Sequence, residues 1–591
     1  MIKTTVFANA KGLGQCYLTS TKIQLAFSLT PALTDPHIPP PNIPTPSTFF
    51  KPATIDEVTK LINDAPNKQC DLDPIPTYLL KQILSIIAPT ITNIVNLSLL
   101  TGTFPDSFKH SIVTPLLKKP SLDKESLNNY RPISNLSFIS KLTERIVKSR
   151  LDEHLSSNNL YNPHQSAYTK HHSTETSLLS QHDRLITAIS NQQVTCLCLL
   201  DLSAAFDTID HSILLTRLSS WFGISGTTLN WFSSYLSSRS FSVCADKFSS
   251  SPSSLTCGVP QGSVLGPILF NMYTTPLSTL ISSSVVDHHM YADDTGLSIS
   301  FVPQAFSVAV TQLQQTISSI SSWMFSNRLA LNPSKTEFML IGLKQQLSKI
   351  SNASLVLDST PPILPSDSAR NLGIIFDSHM SFSKQISTLT SACFYHIRDR
   401  RRIRHTLDHK TASIIATSLV HSKLDYCNSL YVNLPSKQIS KLQILQNALA
   451  RTVSKIPKYD HITPTLKSLH WLKIEQRIQY KIISITYSLL QSSHPSYLRG
   501  LILIQPNHST RSSDHLTLSR LPITSRYPLK ISDRSFRVAA PILWNSLSRA
   551  LRLCSTALTS GTMQSSPMLT LTRNQFLSRL KTHLYSRSYP P

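Results

Sequence analysis

The sequence predicts an α+β chain with a helical, basic C-terminal part, on three observations. From about residue 110 to 380, short apolar runs alternate with stretches of helical spacing, the pattern of sheet and helix sharing one domain. From about 384 to 490 the spacing is mostly helical, as in Ile439, Leu442, Leu445 and Leu449, and again in Ile474, Ile478 and Ile482. The excess positive charge is concentrated at the back: residues 384–591 hold 30 Lys+Arg against 7 Asp+Glu, leaving 26 and 25 for residues 1–383. A length of 591 residues at ~150 per domain makes three or four units.

Seven prolines fall within residues 31–46. They forbid a helix or central strand, so residues 1–48 are expected to be a disordered leader, with ordered structure beginning near Phe49. Residues 54–64 predict a short helix with Thr54 as N-cap and Glu57 closing a capping box. Helical spacing resumes over 78–100, so 49–101 is expected to be a helical extension. The longest apolar stretch, Ile83 to Leu100, is broken by Pro89, Asn93 and Asn96, and neither a transmembrane helix nor a signal peptide is predicted.

Residues 194–200 are apolar except for Thr195, consistent with a strand buried on both faces, on which Cys196 and Cys198 point the same way. Asp201 follows at its carboxyl end. Phe206, Ile209, Ile213, Leu214, Leu218 and Phe222 then share a helical face, so Asp201 also reads as a helix N-cap. In residues 288–301, Leu297, Ile299 and Phe301 alternate with serines as in a strand, and Asp293-Asp294-Thr295-Gly296 carries turn chemistry. A hairpin with two carboxylates at its tip is expected; such a pair is also often merely solvated. Beyond residue 500 Ser-rich stretches dominate, and 553–570 reads as loop. The nine cysteines form no paired CxxC motif, and buried free thiols are expected. The net charge of +24 points to a polyanion such as nucleic acid, or to a basic soluble surface.

Asp201 and the 293–294 pair gain meaning together. Joining a nucleotide by two-metal catalysis needs carboxylates converging on two divalent ions about 3.5–4 Å apart, and Mg2+ accepts two or three carboxylates plus water. The order DLSAAFDTIDH, CGVPQGSVLGPILF, YADD resembles the reverse transcriptase of LINE-type (non-LTR) retrotransposons, nearest its jockey/CR1/L2 group. YRPISNLSFISKLTERIV and HQSAYTKHHST upstream, and LNPSKTEFMLIG, ARNLGIIFD and KLDYCNSLYVNLP downstream, extend the similarity over roughly residues 50–591.

The resemblance implies a right-hand polymerase: fingers and palm across 102–373 with an antiparallel sheet, a basic helical thumb at 384–495, and a basic, partly disordered region at 496–591. It implies an RNA-directed DNA polymerase that extends a DNA primer on an RNA template from dNTPs, with two Mg2+ ions (Mn2+ as a substitute). Asp201 and Asp293 match its metal ligands, and Asp294 the third carboxylate. Phe206 matches an aromatic beneath the incoming sugar that excludes a 2′-hydroxyl, unless it is a helix core residue. Gln261 and Gly262, in the Gly258–Gly262 loop, match contacts to the nascent pair. Arg131 and Lys170 match triphosphate contacts, although many relatives carry Arg in the second segment, and a lysine makes no bidentate fork. Lys335 matches a lysine that protonates pyrophosphate, unless it is a solvated loop residue. Relatives often carry Gln or Val where Gly296 stands. The cluster Arg400, Arg401, Arg402 and Arg404 is expected to hold duplex phosphates. The first 50 residues are too short for the endonuclease of full-length elements, so a truncated element is expected, working inside the cell, nuclear or cytoplasmic, away from membranes. The alternative is a relic that binds nucleic acid without turnover.

Overall fold

The computed structural model describes residues 38–590 except Gln69, 127–128, 204–205, 246–247, 358–360, 506–514, 521–528 and 556–567. The chain forms two compact units and passes between them several times. The first unit comprises residues 1–168, 200–288 and 315–335; the second comprises 169–199, 289–314 and 336–591. The fold is α+β, with antiparallel strand pairs in both units.

Most of the expected leader lies outside the described residues. Its described end is anchored earlier than Phe49: Thr45 Oγ1 donates to Asn158 Oδ1 at 2.7 Å, and Ser47 exchanges backbone bonds of 2.9 Å with Gly223 and Ser225. The first helix among the described residues is Ile55–Asn63, and Thr54 caps it by accepting from Glu57 N. Glu57 does not close the capping box. Its carboxylate is taken by Arg150 at 2.7 Å, because a guanidinium fork binds a carboxylate more strongly than one backbone N–H does.

The helix Leu84–Thr101 is, among the described residues, the one long and apolar enough to cross a membrane. Here one of its faces enters the first unit's core. Ile91, Val95 and Leu99 are buried, and Trp231 Nε1 donates to Ser98 Oγ at 3.0 Å. Trp231 and Phe104 meet edge to face at 5.4 Å. The first unit's sheet is mixed: His110–Leu117 runs antiparallel to Tyr130–Asn135 and parallel to Arg239–Ala245.

The second unit's sheet places Val194–Leu200 between Glu337–Ile341 and Asp294–Phe301, with Asp287–Tyr291 at the edge. As expected of a strand covered on both faces, Cys196 and Cys198 are fully buried, and burial pushes the Cys198 thiol up to about 12. Thr195 Oγ1 and Ser300 Oγ lie 2.9 Å apart, so the start of one strand meets the end of the other and the two run antiparallel. The helical spacings noted above become Ser436–Ser454 and Ile474–Ser492, with Leu442, Leu445, Leu449, Ile478 and Ile482 buried. The regions expected as separate at 495/496 share one core: Tyr487 stacks on Phe576 at 4.1 Å, and Arg537 pairs with the buried Asp183 at 2.6 Å.

Candidate functional site

In the first unit, Asp201 ends the buried strand but caps no helix. The helix begins at His211, and Asp210 is its N-cap, accepting from Ser212 N and Ile213 N. Phe206, in a turn, and Ile209, in irregular backbone, both expected on that helix, precede it. Their carbonyls accept from Val259 N (3.0 Å) and Gly258 N (2.8 Å), so this backbone pairs with the GVPQG loop instead of starting a helix. The Phe206 ring is half-buried and stacks on Phe270 at 4.7 Å.

A return stretch of chain is fastened across Asp201. Ala330 and Leu331 pair with Ser203 and Leu202, and Asn332 N donates to Asp201 O at 2.9 Å. This brings Lys335 Nζ to 2.7 Å from Asp201 Oδ2. Lys335 is thus not simply solvated: its ammonium occupies a cation position on the Asp201 carboxylate.

The loop that follows has two positions only glycine fills. Gly258 has φ +78, and a Cβ there would come within 2.8 Å of Asp207 O; Gly262 has φ +132, and a Cβ would run into Ser134 O. Both are conformations that L side chains resist. Ser134 N donates to Gln261 O at 2.8 Å, which clamps the loop to the Tyr130–Asn135 strand. That strand also carries Arg131, which is exposed and registers with Leu116.

Sequence reasoning missed Glu144. It is fully buried and accepts from Val264 N (2.7 Å) and Leu265 N (3.0 Å), fixing the chain where the loop enters the helix Gly266–Ser282. Its one signal is a carboxylate between buried neighbours of an otherwise amphipathic helix. Burial raises its pKa, against the opposing effect of those backbone bonds and of Arg239. A carboxyl whose folded pKa lies above its unfolded value stabilises the fold most below the unfolded pKa, and that stabilisation is lost as pH rises through the folded pKa. Glu144→Gln cannot ionise, so its melting temperature should gain on that of the unsubstituted chain as pH rises above the ordinary glutamate value of 4.5. A constant difference between the two melting curves would contradict this.

In the second unit the hairpin turns earlier than expected. Ala292, with φ +56, and Asp293 form the turn, and Asp294 already opens the next strand. Asp293 is half-buried and Asp294 exposed, while Thr295, Leu297, Ile299 and Phe301 face inward. Gly296 lies in the strand, where a Cβ would make ordinary contacts of 3.6 Å with Gln181 and Leu199; no turn requires glycine there. Lys170 is exposed in a turn whose carbonyl contacts His172 Nδ1 at 2.8 Å.

The arginine cluster divides. Arg402 is exposed, Arg400 half-buried, and Arg401 Nε donates to Thr452 Oγ1 at 3.1 Å. Arg404 is buried and donates to the carbonyls of Thr452, Val453 and Leu407 at 2.6–3.1 Å. Its guanidinium is engaged by these carbonyls, which corrects the expectation that Arg404 holds a duplex phosphate.

Among the described residues, no three His, Cys, Asp or Glu side chains are gathered as a ready-made metal site. The donor chemistry suits a hard divalent ion: Asp201 already offers carboxylate oxygens to a cation, and Asp293 and Asp294 are carboxylates of the same class.

The family model for reverse transcriptase (RNA-dependent DNA polymerase) matches residues 117–376. The chain is 26% identical to the probable RNA-directed DNA polymerase from transposon BS of Drosophila melanogaster, over 77% of its own length and 50% of that protein. It is 24% identical to the RNA-directed DNA polymerase from mobile element jockey of Drosophila funebris, over 82% and 52%, and 24% to the probable polymerase from transposon X-element of Drosophila melanogaster, over 69% and 44%. The chain spans about half the length of the curated relatives it matches.

Proposed function

We propose, from the premise that this chain carries a reverse transcriptase domain of the LINE (non-LTR) type, that it extends a DNA primer on an RNA template from deoxynucleoside triphosphates. The observation that carries the reading is the order of strands in the second unit's sheet. The strand leading to Asp201 neighbours, antiparallel, the strand opened by Asp294 and preceded by Asp293. Asp201, Asp293 and Asp294 would hold two Mg2+ ions, with substrate phosphates and water completing the shell. When bound, such ions would lower the pKa of the primer 3′-hydroxyl and offset charge on the leaving pyrophosphate.

Each remaining role falls to a residue of this chain. Lys335 holds a proton on Nζ beside Asp201 and delivers it to pyrophosphate as charge builds there. Phe206, backed by Phe270, presents a ring edge that excludes a 2′-hydroxyl. The Gly258–Gly262 loop supplies a close, rigid backbone and the Gln261 amide to the nascent pair. Arg131 and Lys170 meet the triphosphate, the lysine as a point charge. In this reading residues 102–373 are fingers and palm, 384–495 the thumb.

A second reading, a relic that binds nucleic acid without turnover, draws on the basic back part of the chain, where residues 384–591 hold 30 Lys+Arg against 7 Asp+Glu. Extension of oligo(dT) on poly(rA) with Mg2+ separates the two. Extension that stops on chelation supports the polymerase; binding with no extension selects the relic.

A further inference from the structure

The helices Ser383–Ile403 and Ser436–Ser454 pack together in the second unit. Beside their C-terminal ends opens a cleft of about 630 Å3, within the ~300–1,000 Å3 typical of ligand sites. Arg401, Arg451, Lys455 and Lys458 rim it, Phe394, Ile444, Ala448 and Ile456 give it an apolar wall, and no acidic side chain lines it. Arg404 also lines it, but its hydrogen bonds are spent on carbonyls.

The bland account is that basic residues complement helix C-termini. Two such ends offer only about half a negative charge each, against four rim cations, so most of the positive charge is left for something else. Arg451 Nε is buried and has no hydrogen-bond partner among the described residues. Beside the rim stands Tyr459, 92% exposed, with Lys458 Nζ 5.9 Å from its ring centre. Tyr395, next to Phe394, is 62% exposed.

We propose that this cleft binds an unpaired polynucleotide strand: phosphates on Arg401, Arg451, Lys455 and Lys458, a base against the apolar wall, and the next stacked on Tyr459. Bare aromatics beside cations suit a single strand, since only unpaired bases offer a face to stack on; a duplex keeps its bases stacked inside. The inference does not rest on polymerase activity, because binding is measured without nucleotides or metal.

The test is fluorescence anisotropy of the full chain with a labelled, unstructured 20-mer as RNA, as DNA, and as a duplex. Arg451→Glu with Lys458→Glu should weaken single-strand binding at least about tenfold and lower the slope of log K against log salt by about 1.4, two contacts at ~0.7 each. Tyr459→Ala, at a fully exposed position that leaves folding intact, should weaken it roughly tenfold, while Lys458→Arg retains it. The RNA and DNA arms identify which strand is held; loss in either, with duplex binding changed less than twofold, supports the site. Unchanged single-strand affinity in folded variants, or an equal loss on duplex, overturns it.

Discussion

Asp293→Asn and Asp201→Asn should each slow primer extension by about a thousandfold or more while leaving the melting temperature and primer–template affinity nearly unchanged. The size follows from the task of the metal ions. Their stabilisation of the transition state is on the order of several kcal/mol, and each ~1.4 kcal/mol is a factor of ten in rate. An amide keeps the shape of the side chain but loses the charge. Asp293 stands at a turn and Asp201 is only partly covered, so neither substitution opens a cavity. Asp201→Asn also weakens the hold on Lys335; the lysine is mostly exposed, so the pair contributes little to stability. Near-normal extension by either variant would remove that carboxylate from the chemistry.

Arg404→Ala is expected to act in the opposite way, on stability rather than on nucleic acid. It strips the partner from the buried carbonyls of Thr452 and Val453, and leaving such groups unsatisfied costs about 2–4 kcal/mol in total. Arg402→Ala, at an exposed position, should leave the unfolding midpoint within about 0.5 kcal/mol of its original value. Chemical denaturation of both variants decides the matter. Equal stabilities would return Arg404 to the cluster of surface cations.

The contrast shows where the sequence is legible. Periodicity is written in single residues, so the strand 194–200, the alternation of 297–301 and the helices after 436 and 474 could be read directly. Caps and turns depend on competition among neighbours. On paper Asp201 reads as a cap; the 258–259 backbone claims the carbonyls of Phe206 and Ile209 and so starts the helix at His211, capped by Asp210. The hairpin turns at Ala292, a residue without turn chemistry, because the pairing of its strands sets the position. Long-range partners leave almost no local trace: four arginines within five positions look alike, yet Arg404 is held by carbonyls some fifty residues on. Glu144 reads as one more helical acid until the loop it fixes is in place. The return of 330–335 across Asp201 was likewise invisible, and it gives Lys335 a partner where a solvated loop was the alternative.

Everything functional here depends on Asp201 and Asp293 working on the same pair of ions. The direct check is the rate of adding one dTMP to oligo(dT) on poly(rA), at saturating primer–template, across a Mg2+ titration. For the unsubstituted chain the account predicts a rate rising more steeply than first order in Mg2+, as two ions require, with both the steepness and the rate collapsing in Asp293→Asn. Addition that ignores Mg2+, or that proceeds in Asp293→Asn at the original rate, would contradict it.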